Sequence, residues 1–203
     1  SQLVVLFAPG GAGGWGESNA QITIRDADTL EPIGLSVEPK AFVGAYVGSY
    51  FELPGFALMP DGRSVVIATT PRCSPHCARS NEDELVWWNL RRRTPTRRLA
   101  IGPGQHALAL SPDGGTIAVG VEQGIQLVDT RSGAVRTAAG ALGGTPSWLL
   151  FSPDGRTVVS TSLDGTVALW DAGSASLRET LRGHSGAVQQ PVFSPGGGTL
   201  YTV

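Results

Sequence analysis

Residues 151–184, FSPDGRTVVSTSLDGTVALWDAGSASLRETLRGH, decide the fold of this chain. Short apolar runs alternate here with turn-forming residues, and the runs cover residues 148–151, 157–160, 166–170 and 177–181. They are too short for helices and rich in β-branched and aromatic residues, so they predict strands. Pro153-Asp154-Gly155 and Asp164-Gly165 are strong turn signals between them. The stretch therefore predicts a four-stranded antiparallel meander.

The tripeptide Pro-Asp-Gly recurs along the chain at a nearly constant interval. Its copies begin at Pro60, Pro112 and Pro153, and a degenerate copy, Pro-Gly-Gly, begins at Pro195. The intervals are 52, 41 and 42 residues. About 18 residues after the proline, an apolar run closes with a polar residue, most clearly in Leu169-Trp170-Asp171. Two marks in one register indicate an internal repeat, whose units must stack to bury their faces.

These marks resemble those of the WD40 family of β-propellers, whose repeats are about 40–45 residues long. Trp170-Asp171 matches the dipeptide that names the family, and Gly183-His184 matches its Gly-His mark. The resemblance implies an all-β propeller built of four-stranded antiparallel blades around a shared axis, with Trp170 buried between successive blades. It covers nearly the whole chain, and the unit that begins at Phe151 is the strongest match.

The repeat predicts one continuous array of blades. The predicted units are a partial blade at 1–35, complete blades at 54–101, 106–138 and 147–181, and a partial blade at 188–203. The first unit lacks its inner strand and the last lacks its two outer strands. We therefore expect an incomplete, open ring of four to five blades that is covalently part of a longer chain. A small closed ring with one redundant terminal strand is the alternative.

Composition excludes several classes of protein. Charged residues are 16% of the chain, beside 28 glycines and 14 prolines, which argues against both disorder and a helical fold. No apolar run approaches the ~20 residues of a membrane span. The net charge of −2 gives no general attraction to nucleic acid. Two cysteines do not build a disulfide scaffold, so a cytoplasmic location is expected, and a single lysine among many arginines indicates a bacterial source.

The resemblance implies a structural hydrogen-bond network rather than a catalytic site. In the family, a buried network links a His, a Ser or Thr, an Asp and a Trp. The matching residues here are Ser160, Asp164 and Trp170 in one blade, and His184 and Thr202 in the next. The network is incomplete, since the His position of the first of these blades falls at Leu142. The earlier blades depart further, with Arg25, Trp88 and Val128 at the Trp position. No nucleophile motif accompanies these residues, which argues against a hydrolase triad.

The segment CSPHC brings Cys73, His76 and Cys77 together in a predicted loop. A closed zinc site usually has four ligands, and only three are local. Free thiols are favoured, while a metal site and a loop disulfide stay open as alternatives. No cofactor is predicted.

Two other segments invite a functional interpretation that the sequence does not favour. Residues 9–15 are glycine-rich but lack the Gly-Lys-Ser/Thr ending of a phosphate-binding loop, so a flexible hairpin tip is predicted. Five arginines crowd one predicted turn: Arg91, Arg92, Arg93, Arg97 and Arg98. A solvated turn is favoured there, and contact with phosphates or an acidic partner is the alternative.

Three long segments are expected on one face of the propeller, at residues 9–20, 36–54 and 70–84. In a propeller meander, the loops between second and third strands and the crossings between blades emerge on the same face. The segments carry candidate partner-binding residues: Trp15, Tyr46, Tyr50, Phe51, His76 and Arg79. Aromatic and arginine side chains on loops held by a rigid scaffold are typical of binding sites. Loop padding without a function is the alternative.

The sequence therefore predicts a non-enzymatic protein-interaction scaffold or sensor module, within a larger signalling protein. It would bind a protein or peptide partner through loops on one propeller face, with no nucleic acid and no membrane span in this segment. The alternative is a propeller enzyme, similar to lactonases or peptidase-associated propellers, with its site at the channel mouth.

Overall fold

The fold is that of a computed structural model of the chain. It describes residues 3–9, 20–26, 29, 55–69, 83–92, 94–104, 107–122, 124–140 and 146–202. All regular secondary structure in these ranges is β-strand, and all strand pairings are antiparallel. The prediction of an all-β fold built of four-stranded antiparallel sheets is therefore confirmed.

The described strands form five sheets that follow one another along the chain. The first sheet pairs β1 (Leu3–Pro9) with β2 (Ala20–Asp26). The second sheet contains β3 (Phe56–Leu58), β4 (Ser64–Thr69), β5 (Asp83–Asn89) and β6 (Thr94–Ile101). The third contains β7 (Leu108–Leu110), β8 (Thr116–Val121), β9 (Gly124–Asp129) and β10 (Val135–Ala139). The fourth contains β11 (Trp148–Phe151), β12 (Thr157–Thr161), β13 (Val167–Asp171) and β14 (Leu177–Leu181). The fifth pairs β15 (Val192–Phe193) with β16 (Leu200–Tyr201).

Each four-stranded sheet is a meander in which strands pair in chain order. Among the described strands, no pairing joins the first sheet to the fifth. The sequence at 188–193 predicts the first strand of the fifth sheet, but residues 188–191 lie outside β15, so this prediction is corrected. Pro191 has no N–H to donate to a ladder, and Gln190 adopts a φ of 47°. The N–H of Val188 donates instead to the carbonyl of Ser162 at 3.3 Å, which ties this segment to the fourth sheet.

The Pro-Asp-Gly copies form the same turn between the first and second strands of successive sheets. In the third sheet, Ser111 Oγ donates to Asp113 Oδ1 at 2.6 Å, and the Gly114 N–H donates to the Ser111 carbonyl at 2.8 Å. In the fourth sheet, Ser152 Oγ donates to Asp154 Oδ1, also at 2.6 Å. The glycine supplies the positive φ that the turn requires, 71° at Gly114.

These turns also contact one another from sheet to sheet. A Cβ added to Gly114 would lie 2.3 Å from Pro60 Cγ of the preceding turn, so the two residues are closely packed. The same contact, glycine of one turn against proline of the turn before, recurs at the next two junctions. The three contacts are Pro60–Gly114, Pro112–Gly155 and Pro153–Gly197. The turns therefore form a row at one end of the sheets, which we call the Pro-Asp-Gly end.

Three junctions have an apolar core of their own, those between the second and third, the third and fourth, and the fourth and fifth sheets. Alternate residues of a strand face opposite sides of the sheet, so each third strand serves two junctions. In β9, Val128 packs with the core shared with the second sheet, and Leu127 with the core shared with the fourth. Trp170, fully buried, packs into this second core beside Leu127 and Ile125. The predicted position of Trp170, between two successive sheets, is confirmed.

The arginine-rich segment of the second sheet corrects the prediction of a merely solvated turn. Arg97 lies on β6, and its guanidinium is 5.1 Å from the centre of the Trp87 ring. Its Nη1 donates to the carbonyl of Thr130 at 3.0 Å and its Nη2 to that of Ser132 at 2.9 Å. Arg97 therefore fastens a turn of the third sheet to the second. The other arginines are exposed (Arg91, Arg92), paired with Glu84 at 2.7 Å (Arg98), or outside the described residues (Arg93).

Candidate functional site

In the second, third and fourth sheets, the end opposite the Pro-Asp-Gly turns holds the connection between the second and third strands; we call it the crossover end. In the fourth sheet this connection is residues 162–166, bounded by the pair Thr161–Val167. In the second sheet the pair Thr69–Glu84 lies at the equivalent place, where residues 70–82 connect β4 to β5. β5 begins at Asp83, so this connection ends slightly earlier than predicted. In the first sheet the pair Pro9–Ala20 bounds residues 10–19.

The predicted partner-binding loop residues lie outside the described residues. These are Trp15, Tyr46, Tyr50, Phe51, His76 and Arg79. The same holds for Cys73 and Cys77 of the CSPHC segment. What the structure describes is the strand ends from which two of the three long segments depart, given above.

The described part of the crossover end exposes three large apolar side chains of the fourth sheet, and one of them, Leu181, ends β14 opposite Val167 and is 40% exposed. Trp148 is 42% exposed and Leu163 is 55% exposed. Trp148 opens β11 opposite Thr161, and Leu163 follows two residues later in the connection, so both lie at the same end of one sheet. The apolar run at 148–151 predicts Trp148 in a strand but does not indicate that its side chain is exposed. A signal was available: as the first residue of its strand, it lies where the sheet ends.

Trp170 and Ser160 form a buried hydrogen bond inside the fourth sheet. The indole Nε1 donates to Ser160 Oγ at 2.8 Å, and both residues are fully buried. A buried indole N–H needs an acceptor, and β12 supplies it because Ser160 lies near Trp170 across the strand pair. The Ser160 hydroxyl is thereby held inside the core, away from any substrate, which argues against a nucleophilic role.

Two other residues that match the family network, Asp164 and His184, lie at the surface. Asp164 is exposed and its Oδ1 accepts the N–H of Thr166 at 2.9 Å, which closes the Asp164-Gly165 turn. His184 is also exposed, and its Nε2 shares a hydrogen bond of 2.8 Å with Thr202 Oγ1. The His184 carbonyl oxygen would lie 2.7 Å from a Cβ on Gly165, so the two segments are in close contact.

The described residues contain no cluster of metal ligands and no helix that could span a membrane. No three His, Cys, Asp or Glu side chains are placed to hold a metal ion within these ranges. In the same part of the chain, no helix is long and apolar enough to cross a membrane.

Comparison with known proteins agrees with the repeat. Residues 135–171 match the family model for the WD domain, G-beta repeat. The match begins with β10 of the third sheet and ends with β13 of the fourth, so one repeat contributes to two sheets. The chain is also 31% identical, over 147 residues, to the uncharacterized WD repeat-containing protein sll1491 of Synechocystis sp. strain PCC 6803. The aligned region is 71% of this chain and 39% of the length of that relative. With its row of equivalent turns, its four-stranded antiparallel sheets and these matches, the chain belongs to the WD40-repeat family.

Proposed function

We propose that the chain is a non-enzymatic protein-interaction module that recognises a protein or peptide at its crossover end. WD40 repeats generally mediate contacts between proteins. The single observation that carries the proposal is the exposure of Trp148 and Leu163, two large apolar side chains that lie at the end of β11 and in the neighbouring connection. Tryptophan is enriched among the residues that contribute most to binding at protein interfaces.

The predicted loop residues extend this surface in the proposal. Trp15, Tyr46 and Tyr50 belong to segments that depart from the first sheet or lead into the second, and His76 and Arg79 belong to the connection of the second sheet. Phe51 lies just before β3. A rigid sheet that carries variable connections is the usual arrangement of loop-based binding sites.

The proposed setting is a larger bacterial signalling protein in the cytoplasm, in which these repeats act as a scaffold or sensor. The chain spans about 39% of the length of the relative that it matches, which is compatible with a longer array. The low usage of cysteine and the arginine-rich composition support this setting.

The experiment compares three forms of the protein as bait in an extract of the organism that produces it. One is the wild type, the second carries Trp148→Ala and Leu163→Ser, and the third carries Arg91→Ala and Arg92→Ala at the opposite end as a matched control. The partner identified by mass spectrometry is purified, and its affinity for each form is measured by calorimetry. We expect the Trp148/Leu163 variant to bind at least tenfold more weakly and the arginine variant to bind as the wild type does.

Equal affinity for all three forms would remove the described crossover end from the proposal. A second series, with Trp15→Ala, Tyr46→Ala and Tyr50→Ala, then tests the loops separately. The enzyme alternative is tested with lactone and peptide substrates. Turnover that is lost in a folded His184→Ala or Asp164→Ala variant would replace the proposal of a binding module.

A further inference from the structure

A groove of about 810 Å³ lies between the third and fourth sheets at the Pro-Asp-Gly end, opposite the proposed recognition surface. Its walls are the Pro-Asp-Gly turns of both sheets, β10, β14 and the turn after β13. The charged side chains that line it are Asp113, Asp154, Asp171, Arg136, Arg156 and Arg178. Its size falls within the range of about 300–1,000 Å³ that small-ligand and side-chain pockets occupy.

The carboxylates of this groove are already committed to their own turns. Asp113 and Asp154 each accept the serine hydroxyl described above, which holds the pKa of both carboxyls below the ordinary value. Asp171 accepts the N–H of Ser174 at 2.8 Å and the side chain of Arg178, and these bonds lower its pKa as well. All three groups are therefore ionised at neutral pH and serve as turn acceptors rather than as free ligands.

The three arginines of the groove differ in their contacts, and the charge of Arg156 already helps to lower the pKa of the neighbouring Asp154. Arg178 donates to Thr157 Oγ1 at 3.1 Å as well as to Asp171. The guanidinium groups of Arg136 and Arg156, by contrast, make no hydrogen bond or ion pair with any other residue that the structure describes. Both are exposed and both line the groove. Each brings five donors in a planar fork that suits a carboxylate.

Comparison of two junctions explains why Arg136 is uncommitted. Arg97 on β6 pairs with Trp87, and Arg136 on β10 pairs with Leu127, which is the equivalent register position. Arg97 reaches the carbonyls of the following turn only because Gly133 has no side chain. A Cβ there would lie 1.9 Å from the Arg97 Nη2.

The fourth sheet carries a side chain at the corresponding place. Ala175 and Gly133 each lie four residues after the aspartate that ends the third strand of their sheet. The N–H of each donates to the main-chain carbonyl of that aspartate, Asp171 or Asp129, at 2.8 Å. Both residues have a positive φ, 62° at Ala175 and 79° at Gly133. The Ala175 methyl is buried in the core between the third and fourth sheets. A guanidinium held as that of Arg97 would clash with this methyl, so Arg136 stays in the groove.

We propose that this groove is a second binding site, which takes a peptide segment with a single carboxylate, held by Arg136 and Arg156. The guanidinium groups of Arg136 and Arg156 would each donate charge-assisted, bidentate hydrogen bonds to that carboxylate. The charges of the three aspartates equal those of the three arginines, so the groove has no net positive charge. A ligand with more than one negative charge would therefore be repelled by the aspartates. The balance favours a lone carboxylate flanked by neutral groups over a phosphate or a nucleic acid.

The test follows the Nε–Hε resonances of the arginine side chains by NMR. The probes are N-acetylglutamate N-methylamide, its glutamine counterpart and inorganic phosphate. We expect the Arg136 and Arg156 resonances to shift together and saturably with the glutamate probe, and at least fivefold less with the other two. Arg136→Gln should weaken the Arg156 response at least fivefold, while Arg91→Gln, an exposed arginine elsewhere at the same end, should leave it unchanged.

Three results would overturn the proposal. One is an equal response of Arg91 and Arg92, which would indicate non-specific attraction of anions. Another is a stronger response to phosphate or to the glutamine probe than to the glutamate probe. The third is a full Arg136 response in an Ala175→Gly variant, because removal of the methyl should let Arg136 dock on the turn of the fourth sheet as Arg97 does on that of the third.

Discussion

Replacement of Trp170 by alanine removes the largest buried side chain of the fourth sheet. Trp170 is fully buried, packs against the third sheet and donates its indole N–H to Ser160 at 2.8 Å. The substitution therefore leaves a cavity at a junction between sheets and removes a hydrogen-bond donor. From the usual cost of large-to-small changes in cores, we expect a loss of about 3–5 kcal/mol in the free energy of unfolding.

The hydrogen bond is separated from the packing by a double-mutant cycle. Ser160→Ala leaves the indole N–H buried without its acceptor, which should cost about 1–3 kcal/mol. In a Trp170→Phe background the donor is gone, so the same Ser160→Ala change should cost much less. We expect a coupling energy of about 1 kcal/mol between the two positions, within the range found for residues in contact.

Urea unfolding followed by far-UV circular dichroism provides the measurement. Trp148→Ala is the matched control, since it is the same residue type in the same sheet but 42% exposed, and it should reduce stability clearly less than Trp170→Ala does. The reasoning fails if Trp170→Ala costs no more than Trp148→Ala. The hydrogen bond is also contradicted if the stability losses of Ser160→Ala and Trp170→Phe sum to that of the double variant within about 0.3 kcal/mol.

Three further changes test other parts of the fold. Gly114→Ala should destabilise the protein by at least about 1–2 kcal/mol, from backbone strain at its positive φ and from the clash with the preceding turn. Gly140→Ala, which also has a positive φ but no neighbour within 4 Å, should lose only the strain term, and equal losses would contradict the contact between turns. Gly133→Ala should displace the Arg97 guanidinium, so its cost should be smaller in an Arg97→Ala background; a cost that is independent of Arg97 argues against the junction described here. The pKa of Asp171 is lowered in the folded protein, so its stabilising effect is full above the unfolded value near 3.8 and is lost as the pH falls below it. In an Asp171→Asn variant, the free energy of unfolding should therefore fall less steeply as the pH is lowered below this value. An unchanged pH dependence would count against the role of Asp171 as a turn acceptor.

The sheets were predictable because their determinants are local in sequence. Pro-Asp-Gly combines a fixed φ, a side-chain acceptor and a residue that tolerates positive φ, and this chemistry specifies the turn wherever it occurs. The burial of Trp170 followed from the same register. The segment at 188–191 was predicted wrongly because apolar content suggested a strand, whereas Pro191 and the bond from Val188 to Ser162 direct this backbone elsewhere.

The sites were less predictable because they depend on residues far apart in sequence. Arg97 fastens the next sheet only because Gly133 leaves room, and no local pattern around Arg97 indicates this. Likewise, no residue close to Arg136 in sequence indicates that the Ala175 methyl prevents it from docking on the following turn. The residues of the expected network differ in burial, since Trp170 and Ser160 lie within one sheet whereas Asp164 and His184 lie at its end.

The contact between successive turns has a bearing on how such a chain is built. Both halves of the contact, the proline and the glycine, belong to the same tripeptide. A duplicated repeat therefore brings a glycine that can pack on the proline of the preceding turn and a proline that can receive the glycine of the following turn. The degenerate Pro195-Gly196-Gly197 loses the aspartate but keeps both halves, and its Gly197 still lies against Pro153. Duplication can thus lengthen the array without any compensating change at the new joints.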